Sequence, residues 1–546
     1  MQRPSHNGNG EYDDNNEERA RSHMDNKTKQ VVGLLAINGQ SYDAPVTVSN
    51  STQRQINSYV FSPQSYSQIS SSTVANIVFN TGASMVNAST SSVILTVNFN
   101  GTTDRTPQGG TKKYLCWSFG DNLSGQTIGK NTLKSGSSAT NLFNQISLKS
   151  RGGQFPAQVV DSNVLSCALA PFQKGQGAEN LFGECGGASM THFTGNASAK
   201  PVYQFPMFYC SRNATFEIPL SKLMPGSVFG QQAPLLGQFI SGATLSLRFE
   251  NMLRAMVFYE TEIAPNDYGK PPILGEGNLA LADVVNNYPT VSYNVTDMQL
   301  MADCMTITDS CLSAINSKCK SLQSSGCQYP YYGVYQTKTT LTSSSADINI
   351  LISAASIQTI IVSFLRPANL ANGKYDALAR LPIINAEDGA VGRSCFPGAK
   401  QSGKLGGDNS SVRIRIGSDY QSLIPYTSAG QLFRQTYQSL CSVKDGLLND
   451  TDYLHKLNKP VDIAVDFNSW YYGSGASSFA FDLSKTPIVG NAGSVSNNSR
   501  SVILELRGIN AGAVGVGEAD ASIECYIHAF YLNVANISME NVIVDM

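Results

Sequence analysis

The chain has 546 residues and a mass of 58.6 kDa, with 41% hydrophobic, 9% aromatic and only 14% charged residues, and Lys+Arg 38 against Asp+Glu 40 leaves a net charge of −2. Soluble proteins average about 25% charged residues, so this surface is built instead from Asn, Ser, Thr and Gly, the last numbering 47. That balance excludes an electrostatic nucleic-acid binder, which needs a basic field. It also excludes an acidic disordered chain, because this many aromatics can build cores, and a coiled coil, which needs long Ala/Glu/Lys/Leu-rich windows.

Residues 1–32 read as a flexible N-terminal tail: residues 1 to 30 are polar, Asn-rich and of mixed charge, with five Lys/Arg against six Asp/Glu. The opening MQRPSHNGNGEYDDNNEE holds no apolar core segment, so no signal peptide is expected.

From about Gly33 short alternating apolar segments are separated by Ser/Thr/Asn/Gly/Pro clusters. The segment Val93 to Phe99 is strand-like, and Gly101 to Thr140 is the longest stretch without a pattern and is expected to be a loop. The segments Ala243 to Phe249 and Ser501 to Leu506 alternate with the period of a half-buried strand. Ala282 to Pro289 reads as a link, and strand texture restarts at Val291. A helix is expected after Asp309, a good N-cap, over Ser310 to Lys320, with others over Gln431 to Leu440 and Leu447 to Leu457. Ile348 to Leu365 is too polar to cross a bilayer and reads as two strands around a turn. The strand His528 occupies, Ile523 to Leu532, is strongly alternating, so a structural role is expected for that histidine. The pattern as a whole predicts an all-β protein of two tandem eight-stranded β-sandwiches with long loops and a few short helices, split into 33–290 and 291–546.

The residues carry little catalytic signal. The five histidines have no metal-site spacing, and no His-Glu-x-x-His or Gly-x-Ser-x-Gly occurs. GQTIGKNT at 125–132 has the wrong glycine spacing for a phosphate loop and Asn131 at the magnesium-binding position, and Gly512 to Gly517 has the wrong spacing for a dinucleotide fingerprint. None of the eleven cysteines lies closer than seven positions to another, so structural zinc spacing is absent and buried thiols are expected; Cys311, Cys319 and Cys327 form the one cluster. No catalytic residue, metal or cofactor is therefore expected. Paired carboxylates remain open, because their pairing is spatial. The aromatic runs Tyr329 to Tyr332 and Phe467 to Tyr472 could stack on sugars, though packing in a core or interface is the commoner use. A secreted or surface β-sandwich that binds or cleaves glycans is therefore the second functional reading. Sequons such as Asn87-Ala88-Ser89 are numerous in a chain so rich in Asn, Ser and Thr and are expected to be unused.

Several local patterns, in order, are similar to the double jelly-roll major capsid proteins of virophages, Polinton-like viruses and related double-stranded DNA viruses. Asn141, Leu142 and the strand to Ser150, followed by the turn at Gly152, resemble a first-domain strand and turn. Phe216, Ile218, Pro219 and Leu220, then Phe229, Pro234 and the strand Ala243 to Glu250, form the most specific match. Asp297, Asp303 and Asp309 mark what looks like the strand-then-helix opening of the second jelly roll, and Phe481, Asp482 and Leu483 a closing strand. The matches run from about 55 to 535. The resemblance implies a homotrimer that looks like a hexagonal tile, neighbouring trimers packed into an icosahedral shell around a double-stranded DNA genome, and penton and minor capsid proteins as further partners. It implies a place in the virion after synthesis in host cytoplasm or nucleus, with no direct sequence-specific nucleic-acid binding and no membrane insertion. A surface poor in Lys and Glu suits subunit interfaces, whose buried centres are depleted in those residues.

Overall fold

A computed structural model describes residues 56–61, 69–70, 73–80, 85–119, 139–151, 157–169, 191–193, 202–204, 208–225, 227, 235–236, 240–265, 279, 281–305, 327–351, 357–365, 395–396, 405, 409–442, 478–483, 501–511, 522–537 and 542–545. The tail 1–32, the turn at Gly152, Pro234, Asp309 with the helix expected at 310–320, the helix expected at 447–457, and the glycine-rich segments 125–132 and 512–517 lie outside the described residues.

The first sandwich takes eight strands: β1 (Ile56–Phe61), β2 (Val74–Val78), β3 (Met85–Asn100), β4 (Phe143–Lys149), β5 (Ala157–Val160), β6 (Ala214–Pro219), β7 (Thr244–Phe249) and β8 (Ser292–Met305). They pair in the orders β1-β8-β3-β6 and β2-β7-β4-β5, all antiparallel. The second sandwich takes β9 (Cys327–Leu341), β10 (Ser345–Ile350), β11 (Ile357–Leu365), β12 (Ser411–Ile416), β13 (Asp419–Tyr420), β14 (Ser478–Asp482), β15 (Val502–Arg507) and β16 (Ile523–Ile537). Their orders are β9-β16-β11-β14 and β10-β15-β12-β13. Counted within each half, both sandwiches pair their strands as 1-8-3-6 facing 2-7-4-5. Eight antiparallel strands wound in this order, so that each sheet draws on both ends of the segment, make a jelly roll.

Alternation explains why these segments become strands. In β7 the residues Leu245, Leu247 and Phe249 are fully buried while Thr244, Ser246 and Arg248 face outward, and β15 buries Val502, Leu504 and Leu506 in the same way. The inward residues of the first pair of sheets form one core with Trp117 and Phe216, and those of the second pair form another around Phe364, Phe479 and Phe530.

Two expectations are corrected. The division at 290/291 cuts off the last strand of the first sandwich, because β8 pairs with β1 and β3 from Ser292 to Met305. The described chain therefore leaves the first sandwich after 305 and enters the second at 327. The stretch 101–140 is also not all loop. Lys113–Ser118 is the centre of a small sheet flanked by Phe208–Tyr209 and Val257–Thr261, with Asp104–Arg105 on Lys113 and Tyr114. Leu115, Cys116, Trp117 and Ser118 are all buried, so the segment shows no alternation to read.

The loops that join β3 to β4, β5 to β6 and β7 to β8 thus meet over the first sandwich. Glu260 ties the first and last of these together: Arg105 grips it with two hydrogen bonds (2.6 and 3.1 Å), Tyr288 donates to it (3.0 Å), and the Lys113 ammonium lies 3.5 Å away. Burial works against the Glu260 carboxylate, but the hydrogen bonds from Arg105 and Tyr288 prevail and hold its pKa below the usual value. At Gly101, with φ +92°, a Cβ would sit 2.2 Å from the Thr290 carbonyl oxygen. Gly101→Ala is therefore expected to cost about 1–3 kcal/mol in a urea titration.

Among the helices, the one expected at 431–440 is α2 (Ala429–Ser442), below, and Ser162–Leu169 is α1. The α2 start is a capping box: the Gln431 N–H donates to Ser428 Oγ (3.2 Å) and Ser428 N–H donates back to Gln431 Oε1 (3.3 Å). Ile348 to Leu365 forms β10 and β11, two strands as expected. Among the described residues no helix is long and apolar enough to cross a membrane.

Candidate functional site at the joint between the sandwiches

Residues from each half enter the core of the other. Val159 of β5 and Leu165, Ala168 and Leu169 of α1 pack into the second core, and Tyr331 of β9 packs into the first. Val164, Leu365 and Tyr526 form a separate apolar cluster that spans the two. The helix α1 is the wedge. It follows β5 through Asp161, which adopts φ +48°, a conformation Asp tolerates better than most residues. Ser162 Oγ anchors its start to the Phe143 carbonyl (2.8 Å).

Polar side chains complete the joint. Arg254 donates to the Tyr526 hydroxyl (2.8 Å), which donates to Glu524 (2.9 Å), and Lys338 bridges to Glu524 (2.9 Å) with its ammonium 5.0 Å from the centre of the Tyr526 ring. On the first-sandwich side, Glu250 accepts from Asn163 Nδ2 (3.0 Å) and the Asn251 N–H (2.9 Å) and lies 3.5 Å from Arg254. His528, fully buried, donates from Nε2 to the Val160 carbonyl (3.4 Å). Burial lowers its pKa to about 4, against the opposing pull of backbone hydrogen bonds at Val160 and Asp161. Burial raises Asp161, opposed by the Arg254 and Lys338 charges.

Chemically this arrangement is a weld. Glu250 and Glu524 are each engaged by several donors within the joint, so neither is poised as the acid or base of a glycosidase. Among the described residues no cluster of His, Cys, Asp and Glu could hold a metal ion. The described cysteines Cys116, Cys210, Cys304, Cys395 and Cys525 are buried, and burial raises the last four of these thiols, which disfavours the reactive thiolate.

The residues singled out by the family pattern do not converge on one place. Asn141 and Leu142 lie buried beside the first core, where Asn141 Nδ2 donates to the Phe119 carbonyl (3.0 Å). Phe216 stacks edge-on against Phe119 (5.2 Å) and Phe208 (5.4 Å), with Ile218, Pro219 and Leu220 behind it at the end of β6. Asp297 sits exposed, at φ +50°, where the β8–β3 register shifts. The Asp303 N–H donates to Ser91 Oγ (3.1 Å) across the same pair of strands. Phe481 and Asp482 end β14 and Leu483 follows it, Phe481 and Leu483 lying in the second core and the Leu483 N–H donating to the Gln358 carbonyl (2.8 Å). None of them belongs to the joint, whose members carry no local motif.

A second feature lies on the surface. Leu423 is 90% exposed and Ile424 71% exposed. Their loop is nonetheless braced: Arg413 donates to the Ser422 (3.3 Å) and Leu423 (2.9 Å) carbonyls and stacks on the Tyr420 ring (3.2 Å). Two large aliphatic side chains held out by an ordered loop are a common mark of an interface.

The pairing defines a double jelly-roll protein. By sequence no family model matches, and no curated protein matches. By structure the chain is similar to the Faustovirus major capsid protein (8% identity, 95% of this chain and 98% of that one, TM-score 0.46). It is similar also to a chain of the Sputnik virophage structure (10%, 94% and 91%, 0.47) and to the mavirus major capsid protein (9%, 94% and 93%, 0.42). The strand order within each half, rather than these distant likenesses, establishes the fold.

Proposed function

We propose that the protein is a major capsid protein, a non-enzymatic tile that self-assembles as a homotrimer and then with neighbouring trimers into an icosahedral virus shell around a double-stranded DNA genome. The observation that carries this reading is the doubling: two complete jelly rolls of one pairing order, welded by α1 into a single block. Three such blocks around a threefold axis place six similar sandwiches in a ring, a shape that packs edge to edge like a hexagon. The likeness to viral major capsid proteins and the sparse charge of the chain agree with it. Penton and minor capsid proteins would complete the shell, and the virion is the place of action.

Obligate interfaces bury roughly 2,000–5,000 Å², and the braced Leu423–Ile424 loop is one contribution to such a surface. Sedimentation of the purified chain is expected to give a mass of about 176 kDa, three times 58.6 kDa. Leu423→Asp combined with Ile424→Asp is expected to leave the circular dichroism spectrum unchanged and to block assembly of trimers or of larger arrays. Unimpaired assembly of that variant would remove the loop from the interface.

A further inference from the structure

We propose that the joint between the two sandwiches is an acid-operated release, with His528 as the group whose protonation opens it. The inference concerns the chain's own joint and stands whether or not the chain builds a capsid.

The geometry provides poorly for a second proton on His528. The imidazole is fully buried on the face of β16 turned toward the first sandwich, and Nε2 is committed to the Val160 carbonyl. Its Nδ1 has no hydrogen-bond partner. The residues directly opposite on the neighbouring strands are Gln336 of β9, whose own Nε2 is buried and unpartnered, and Ile361 of β11. Gln336, unless its amide turns over, offers an unsatisfied donor and Ile361 a hydrocarbon, so an imidazolium relies on the backbone at Val160 and Asp161, which does not offset the burial.

The surrounding charges do not rescue it. On its own strand stand Glu524 and Tyr526, on β9 Lys338, on the β5–α1 turn Asp161, and just before and within the short helix Met252–Ala255 Glu250 and Arg254. Glu524 is taken by Lys338 and Tyr526, and Glu250 by Asn163 and Arg254. Two of these groups are cations, which disfavour a third.

The sign follows from linkage. Above about 6.5 the imidazole is neutral whether the joint is closed or open. Between 6.5 and about 4 the open joint binds a proton that the closed joint refuses, so stability of the closed form falls as the pH falls. The open-to-closed ratio rises tenfold per unit, about 300-fold over the interval, and no further below it. Asp161 works the other way, because a carboxyl raised by burial binds its proton more tightly in the closed joint. The His528 displacement is the larger of the two, so opening prevails. Opening withdraws Val159, Leu165, Ala168 and Leu169 from the second core and Tyr331 from the first, and the remaining residues of each core belong to one sandwich alone.

Hydrogen exchange of the full chain between pH 7 and 4, corrected for the intrinsic pH dependence of exchange, tests this. Protection of 162–169, a helix too short to persist without its packing, is expected to fall by up to about 300-fold from pH 6.5 to 4, while β7, β15 and β16, paired within their own sheets, stay protected. In His528→Gln, which keeps a neutral donor for Val160, the same peptides should hold their protection across the range. Exchange at the imidazole C2 carbon of the unmutated chain gives the His528 titration directly, should the variant fail to fold. A midpoint near 4 supports the proposal. A midpoint near 6.5, protection that is flat with pH, or loss that is identical in His528→Gln would overturn it.

Discussion

Trp117→Ala is expected to lower the stability of the first sandwich by about 3–5 kcal/mol, the range for truncating a buried Trp or Phe. Trp117 is fully buried, and its ring centre lies 5.0 Å from Phe119, 5.0 Å from Phe208, 5.6 Å from Phe99 and 6.0 Å from Phe216. Those four rings come from β3, from β6 and from two loop segments outside the jelly roll proper, and they cannot all move inward to fill one gap. The residue therefore fixes the small outer sheet to the sandwich beneath it. Its indole Nε1 finds no acceptor, so Trp117→Phe removes an unsatisfied donor along with some volume and should cost far less than Trp117→Ala. Urea titrations of the two variants, read as midpoints at a constant slope, check both expectations. Equal losses for Ala and Phe would place the cost in something other than aromatic packing.

Arg254→Ala is expected to cost about 3 kcal/mol, the lower part of the range for breaking a buried ion pair, since a fifth of the side chain is exposed. The variant removes a donor to the Tyr526 hydroxyl and leaves Glu250 without its cation. The loss should concentrate at the joint. Amide exchange in α1 and in β16 near Tyr526 should accelerate, while β2 and β7 of the outer face keep their protection. A uniform increase over the whole first sandwich would mean that Arg254 supports that sandwich rather than its union with the second.

Much of the fold is legible in the chain because a half-buried strand declares itself. Leu245-Ser246-Leu247-Arg248-Phe249 and Val502-Ile503-Leu504-Glu505-Leu506 alternate as one face meets the core and the other meets solvent. The start of α2 is legible through Ser428 and Gln431, which reach each other within one turn. The end of the first sandwich is not. Ser292 to Met305 looks like a beginning after the helix Leu281–Asn287, and nothing local says that its partners are Asn100 to Met85 rather than a later strand. A jelly roll returns its eighth strand beside its first and third, which is a long-range fact. Lys113–Ser118 escaped because both of its faces are covered.

The joint is the least legible part. The Arg254–Tyr526 hydrogen bond joins positions 272 apart, and His528 reaches Val160 across 368. The one available signal is compositional: Tyr526-x-His528 places polar side chains among apolar neighbours, and the polar run Asp161-Ser162-Asn163 interrupts an apolar stretch, with Ser162, Asn163, Tyr526 and His528 all buried. Buried polar groups need partners, and here the partners lie in the other sandwich or along its boundary.

In the proposed function the doubled tile is completed by two further copies. Cryo-electron microscopy of the purified protein tests it most directly. The expected result is a threefold particle with six sandwich-shaped lobes in a ring, each pair joined through the helix Ser162–Leu169. A soluble, monodisperse two-lobed monomer at micromolar concentration would contradict it.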